Sequence, residues 1–576
     1  MKRCPECGRE YDLTMSFCLD DGNELLYGPG SGSNSREEPA TAILHETGAQ
    51  GEAPTRAQIH TTAAKPQSES EELSEKPSFS ANRAAKPLLV FAGIAVVIFG
   101  GFFGYRYFSS GSSQQISSIA VMPFVNDGGG EDVEYLSDGM TEVLIGNLSK
   151  IPNLMVKARS SVFRYKGTNT DLKTIGKELS VDAILNGRIT TRGDQIALSL
   201  ELMDAATENV LWSERYDRKQ GDLAELQTDI ARDISNRIKT RISGEGPTSG
   251  GAETEDPEAY KAYLQGLFYF NKRTQKDYPK AIGYFQDAIN KDPNFALAFV
   301  GKANAQGLWS ESGLTESETL AKMEQDLNTA LRLDPNLSPA YTRLAGNAFY
   351  WKGDWKEAER LYSRAIELDP GNSYAHHAYA EALCFRTRFD ACFAEYERAL
   401  AIDPLSPVIN SDLGMSYFFS RQYDRAIAQL QKNIELNPSF VRNYKGLATI
   451  YEFKGEFESA IGVHEEEYRL ELGPETASVR RKALEKALRE KGSKGYWNQI
   501  LEWNLARRGI DPVDGYWEAA ANYTELGEKD KAFETLDQAL QKVVFAKAFL
   551  ATTPRFDKLR SDPRFKALLE QIGMAE

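Results

Sequence analysis

The chain has 576 residues, too many for one ordinary domain and enough for three or more. Its 41% hydrophobic and 26% charged residues make a folding composition, which excludes a wholly disordered chain and a multi-span membrane protein. A formal net charge of −15 disfavours nucleic acid as a partner, and five histidines leave few groups for imidazole-based catalysis.

Residues 1–27 carry most of the cysteines. Cys4-Pro5-Glu6-Cys7-Gly8 places two thiolates three positions apart on a tight turn, and Cys18-Leu19-Asp20-Asp21-Gly22 follows after room for a short hairpin. Zinc takes tetrahedral sulfur ligands and accepts carboxylate oxygen, so Cys4, Cys7, Cys18 and Asp21 form a candidate structural zinc site. The pattern resembles the short zinc ribbons at the front of many bacterial membrane-associated proteins, and the resemblance implies zinc as a cofactor. The competing reading is a decayed ribbon that binds metal poorly. A segment this small has no useful core and is expected to fold only with metal.

Residues 28–86 are rich in Ser, Gly, Glu, Ala, Thr and Pro without helical or strand periodicity, which predicts a disordered linker. The apolar run from Pro87 to Tyr105 is uncharged and, as a helix, about 28 Å long, which predicts a transmembrane helix over 87–107. Lys76, Arg83 and Lys86 precede it, and after Arg106 no Lys or Arg appears before Lys150. The positive-inside rule then places the N-terminus in the cytoplasm.

Residues 115–245 read as an α/β domain. A short apolar strand at Ser118–Phe124 precedes a helix from about Val133 to Lys150, a second strand at Leu154–Ala158 and a second helix at Asp171–Leu179. The period then becomes two, with Ile196, Leu198, Leu200 and Leu202 alternating with smaller or polar residues between turns at Arg192-Gly193-Asp194 and Ala205–Glu208, an antiparallel meander. The blocks Ile119–Phe124, Tyr135–Glu142, Ile184–Gly187 and Leu211–Asp217 resemble the TolB amino-terminal-like domain of bacterial envelope proteins, and the resemblance implies an interaction or sensory module. Asp138, Glu142 and Glu214 read as a helix cap and solvated faces. No phosphate loop, dinucleotide fingerprint or nucleophile–base pair is found here.

Residues 257–470 repeat. Asp292-Pro293, Asp334-Pro335, Asp369-Pro370, Asp403-Pro404 and Asn437-Pro438 recur at intervals of 42, 35, 34 and 34, each between amphipathic helices. Small residues keep the period at Ala358, Cys392, Ala426 and Ala460, and again at Gly346, Ala380, Gly414 and Ala448. This is the signature of tetratricopeptide (TPR) proteins. The long first interval predicts an insertion near Ser310–Gly313, and residues 471–576 read as degenerate repeats and a helical cap. The first helices of such an array line a concave groove. Trp351, Phe385, Phe419 and Phe453, with Tyr350 and Phe418 beside them, are candidate partner-binding residues there. The competing reading puts these rings in the seams between repeats. His376-His377 reads as helix surface, Cys392 as a core thiol, and a Cys384–Cys392 disulfide as conceivable outside the cytoplasm.

The fold class expected is therefore multidomain: zinc ribbon, single transmembrane helix, α/β domain and all-α TPR solenoid. The function expected is a membrane-anchored, non-enzymatic scaffold that binds protein partners through the concave groove. The alternative is a transmembrane signalling protein with an outer sensory part and a cytoplasmic zinc-ribbon output. The location expected is the bacterial inner membrane, with the C-terminal domains outside the cytoplasm. No small-molecule substrate is expected.

Overall fold

A computed structural model describes residues 2–3 and 10–11 and, within 116–573, all but 128–130, 152, 194, 223–224, 227–228, 231, 235–253, 310–314, 508–510, 512 and 544–545. Two compact units are distinguished, Met1–Gly100 and Gly101–Glu576. In the first, β1 (Lys2–Arg3) pairs antiparallel with β2 (Glu10–Tyr11). Cys4, Cys7, Cys18 and Asp21, the linker 28–86 and the span 87–107 lie outside the described residues.

Two parts of the expected fold class are thereby corrected. Among the described residues there is no zinc-ribbon fold: two strands of two residues each enclose no core. No described helix is long and apolar enough to cross a membrane. The membrane anchor, the membrane as a partner, the transmembrane signalling alternative and the inner-membrane location all rested on one apolar run, and none is sustained.

The second unit begins with a mixed sheet. Its strands are β3 (Ser118–Val121), β4 (Val125–Asn126), β5 (Met155–Val156), β6 (Ala183–Arg192), β7 (Gln195–Asp204) and β8 (Val210–Lys219), in the order β5-β3-β6-β7-β8 with β4 beside β6. β3 runs parallel to β5 and β6, and Ile119, Ala120 and Val121 are fully buried, as an unbroken apolar strand requires when both faces are covered. The predicted meander forms β6-β7-β8, with the Gly193 turn in the left-handed region at φ 63°. At Gly187 a Cβ would stand 2.2 Å from the Phe124 ring, so only glycine fits. Helix α1 (Glu131–Ser149) packs on the sheet, followed by the short α2 (Arg159–Val162) and by α3 (Leu172–Leu179), which Asp171 caps by accepting from the Thr174 N–H at 2.9 Å.

Six helical pairs follow: α4 (Pro257–Asn271) with α5 (Tyr278–Lys291), α6 (Ala296–Leu308) with α7 (Glu316–Leu333), α8 (Ser338–Gly346) with α9 (Trp355–Leu368), α10 (Ser373–Phe385) with α11 (Phe389–Ile402), α12 (Pro407–Phe419) with α13 (Tyr423–Leu436), and α14 (Val441–Lys454) with α15 (Phe457–Leu472). A wider helical turn, Asn347–Lys352, continues α8. Each first helix from α8 to α14 turns into its partner through a left-handed residue, Gly353, Thr387, Arg421 and Gly455. The small residues sit where the helices cross: Ala358, Cys392, Ala426 and Ala460 are buried, as are Ala380, Gly414 and Ala448. Upstream, the ring of Phe285 fills a slot between Gly266 and Gly301, where a Cβ would approach it to 2.6 and 2.5 Å. Beyond the pairs come α16 (Pro474–Ala506), broken at Gly492, then α17 (Ala519–Leu526), α18 (Lys529–Lys542), α19 (Ala546–Phe549) and α20 (Pro563–Gln571).

The sheet domain is fastened to the solenoid at two places. Near its start, Asn271 on α4 donates to Glu142 on α1 at 2.6 Å, and Gly139 lets Leu264 close on α1. Asp138 and Glu142 are thus not simply solvated: Asp138 is buried and takes Lys166 at 2.5 Å. Further on, Lys157 donates to the Ala401 carbonyl at 2.6 Å and the Ala158 N–H to that of Ile402 at 3.0 Å. Asp403 receives the hydroxyls of Ser160 and, at 2.6 Å, Ser161. Its counterparts Asp292, Asp334 and Asp369 each accept the N–H two residues on, so Asp403 has exchanged a turn role for a docking role. Asp403→Ala leaves both hydroxyls short of an acceptor and is expected to weaken this contact by about 2–3 kcal/mol. Hydrogen exchange would show it as lost protection at β5 and α2, with the repeats unaffected.

Candidate functional site

The concave face is built by the first helices of successive pairs. On α10, His377, Glu381 and Phe385 fall four residues apart and share one face. Ser411, Asp412 and Phe419 answer from α12, and Arg442 and Thr449 from α14. Tyr350 and Trp351 come from the turn that continues α8. The open side is closed by the chain's own C-terminal part, which contributes Trp517, Phe549 and Arg555. All of these except His377, which is buried next to Glu381 and Asp412, line a half-open chamber of about 570 Å³.

Closure is specific. The Phe549 ring lies 4.1 Å from that of Phe385 and 5.6 Å from that of Phe419, centroid to centroid. Arg421 donates to the Thr552 carbonyl and to Asp557, both at 2.8 Å. Arg555, 4% exposed, is held by Glu518 and by Asn522 at 2.8 Å, with the Trp497 ring 5.5 Å from its guanidinium carbon.

One end of the chamber is polar. His377 Nε2 is 2.9 Å from Asp412 Oδ2 and 3.8 Å from Glu381 Oε2, and Arg442 donates to Asp412 Oδ1 at 2.6 Å. Burial pushes the Glu381 carboxyl up and the Asp412 charge pushes it further, to about 7, against the opposing pull of His377, Arg442 and the Tyr350 hydroxyl that donates to it. Burial pulls the other way on His377, but its hydrogen bond to Asp412 and the charges of Glu381 and Asp412 prevail and raise it. His377, Glu381 and Asp412 each offer one ligand atom within 4.8 Å of the others, a spacing at which a metal ion can be held. This group shares nothing with the cysteine pattern of residues 1–27.

The candidate partner-binding residues divide. Tyr350, Trp351, Phe385, Phe418 and Phe419 line the chamber. Trp351 is 36% exposed, whereas Phe385, Phe418 and Phe419 are buried, partly under Phe549. Phe453 lies off the chamber, packed on Phe418 at 5.6 Å and Tyr423 at 5.2 Å. His376 and His377 are not helix surface. Both are buried, His376 with Nδ1 2.6 Å from Glu395. Cys384 and Cys392 are joined by a disulfide across α10 and α11, with Cα atoms 5.2 Å apart.

The polar end is hidden in the sequence because no other His or Cys pair is placed beside His377 to mark it. The available signal was carboxylate: Glu381 lies one helical turn on, and Asp412 about one repeat on.

Residues 340–372 and 444–478 match the family described as tetratricopeptide repeat. These two segments fall within the helical array, whose other pairs repeat the same helix–turn–helix unit. Residues 114–233 match the family described as HilA/YgeH-like transcriptional regulator, second domain. This match replaces the resemblance to the TolB amino-terminal-like domain, which rested on short blocks that a strand–helix–strand pattern with an antiparallel meander does not confine to one family. The chain is 30% identical to "Putative adenylate cyclase 3" of Rhizobium meliloti (strain 1021) over 285 residues, 47% of this chain and 41% of that protein. It is 34% identical to the small glutamine-rich tetratricopeptide repeat-containing protein 2 of Mycosarcoma maydis over 97 residues, 17% of this chain and 25% of that one. The chain thus spans less than half the length of these curated relatives. Among solved structures, a thermophilic TPR protein of Thermus thermophilus aligns at 19% identity and a TM-score of 0.29, covering 34% of this chain and 99% of that one.

Proposed function

We propose that this chain is a non-enzymatic scaffold that binds a protein partner on the concave face of its tetratricopeptide repeats. The observation that carries this reading is the convergence of Tyr350, Trp351, Phe385 and Phe419, from three successive first helices, on one hollow. Aromatic rings in a pre-formed recess supply large contact area at little entropic cost and dominate binding energy where they become fully covered. Trp351, the most exposed of them, is the natural anchor.

Trp351→Ala removes that anchor without opening the buried core. A partner captured from extracts by the full chain, identified by mass spectrometry and then purified, is expected to bind this variant at least about thirtyfold more weakly, corresponding to roughly 2 kcal/mol. Equal binding by both forms would remove the concave face from consideration.

A further inference from the structure

The charges lining the chamber are matched except at one place. Arg442 is paired with Asp412 at 2.6 Å, Lys445 with Glu471 at 2.9 Å, and Arg555 with Glu518. Among the carboxylates, Asp412 has both Arg442 and His377, and Glu518 has Arg555. Glu381 shares its cations, His377 and Arg442, with Asp412. The nearest is His377 Nε2 at 3.8 Å, and that nitrogen already sits 2.9 Å from Asp412. A half-buried carboxylate that faces a second one and shares its counter-ions with it is under-compensated. Close by, the Ser411 hydroxyl lines the same chamber, is 1% exposed and has no hydrogen-bond partner among the described residues. A carboxylate that shares its counter-ions and an unused buried hydroxyl can each take a ligand's polar head. The rest of the wall is aromatic, with Trp351, Phe385, Phe419, Trp517 and Phe549. Aromatic faces attract organic cations, and about 570 Å³ is the volume of a small-molecule site.

We propose that the chamber is a binding site for a small organic ammonium compound with an aromatic or bulky apolar body, its nitrogen on Glu381 and its body against the aromatic wall. The distinction from a bare metal ion lies in the surroundings. Asp412 already has Oδ1 on Arg442 and Oδ2 beside His377, and a hydrated ion would gain nothing from the rings. The ligand would occupy the same recess as the protein partner proposed above, but its test uses no partner and so stands or falls separately.

Calorimetric titration of the full chain with three probes sharing one body tests this: biphenylmethylamine, biphenylmethanol and biphenylcarboxylate, with zinc chloride alone as a fourth. The amine is expected to bind saturably, at least about tenfold more tightly than the alcohol, and the carboxylate not at all. Glu381→Gln should abolish the preference for amine over alcohol while leaving the circular dichroism unchanged. Ser411→Ala, which keeps the carboxylate, should retain the preference. Equal affinity for amine and alcohol, undiminished amine binding by Glu381→Gln, no binding of the amine at all, or zinc binding that Glu381→Gln removes while the amine fails to bind would each overturn the assignment.

Discussion

Replacing Arg555 with Ala is expected to loosen the C-terminal closure at a cost of about 3–5 kcal/mol, the range for removing one partner of a buried ion pair. Arg555 is nearly inaccessible and serves several groups at once: Glu518 and Asn522 through its guanidinium, and the buried Glu452 through space. Glu452 is itself buried, yet its carboxyl stays below its ordinary range because His464 at 3.1 Å, Arg555 and the Tyr496 hydroxyl at 2.7 Å oppose the effect of burial. Without Arg555, two carboxylates lose a counter-charge and Asn522 loses a donor. Urea unfolding followed by tryptophan fluorescence should show an early transition from Trp497 and Trp517 that the native protein lacks. Arg555→Lys is expected to recover only part of the loss, since a single ammonium does not reproduce two directed N–H contacts. An unchanged profile for Arg555→Ala would mean that the closure is held by Phe549 and Arg421 alone.

The second large effect is a dependence of stability on pH centred on the polar end of the chamber. Glu381 has an ordinary value of 4.5 and is raised to about 7 in the folded chain, so folding takes up a proton between those values and stability falls as pH rises through that window. His377 is also raised in the folded chain, so its stabilising contribution is complete below its unfolded value of 6.5 and is lost as pH rises through the folded value. Both groups therefore act in the same direction. The Glu381 share amounts to at most about 3 kcal/mol, at 1.36 kcal/mol per pKa unit. Glu381→Gln, which cannot ionise, is expected to match the native chain near pH 4.5 and to exceed it in stability above about pH 7, measured as the urea midpoint across the range. Parallel curves for the two proteins would show that Glu381 ionises as freely as an exposed carboxyl.

The repeat was legible because its causes are local. Asp-Pro ends a helix, small residues mark where two helices cross, and both recur with the length of the unit, as at Ala358, Cys392 and Ala426. The meander was legible for the same reason, since the alternation of Ile196, Leu198, Leu200 and Leu202 is strand geometry written in sequence. The chamber was not legible. Its far wall is Phe549, far along the chain from Phe419, and no periodicity links the two. His377 reads as a surface histidine until Asp412 of the next repeat covers it. Arg421 holds a left-handed conformation that Gly353 and Gly455 occupy at the equivalent turns, and its side chain finds its long-range partners, the Thr552 carbonyl and Asp557, only in the C-terminal part.

Tetratricopeptide arrays are elastic: each unit touches only its neighbours, so small rotations add up and the superhelix stretches like a spring. Here the sheet domain acts as a strut. It grips the first unit through Glu142 and Asn271 and the fourth through Asp403, spanning the arc between them. Both contacts oppose a change of curvature over that stretch. The near wall of the hollow, with Trp351, Glu381 and Phe385, belongs to that stretch, so a guest entering it loses less of its binding energy to reshaping the host.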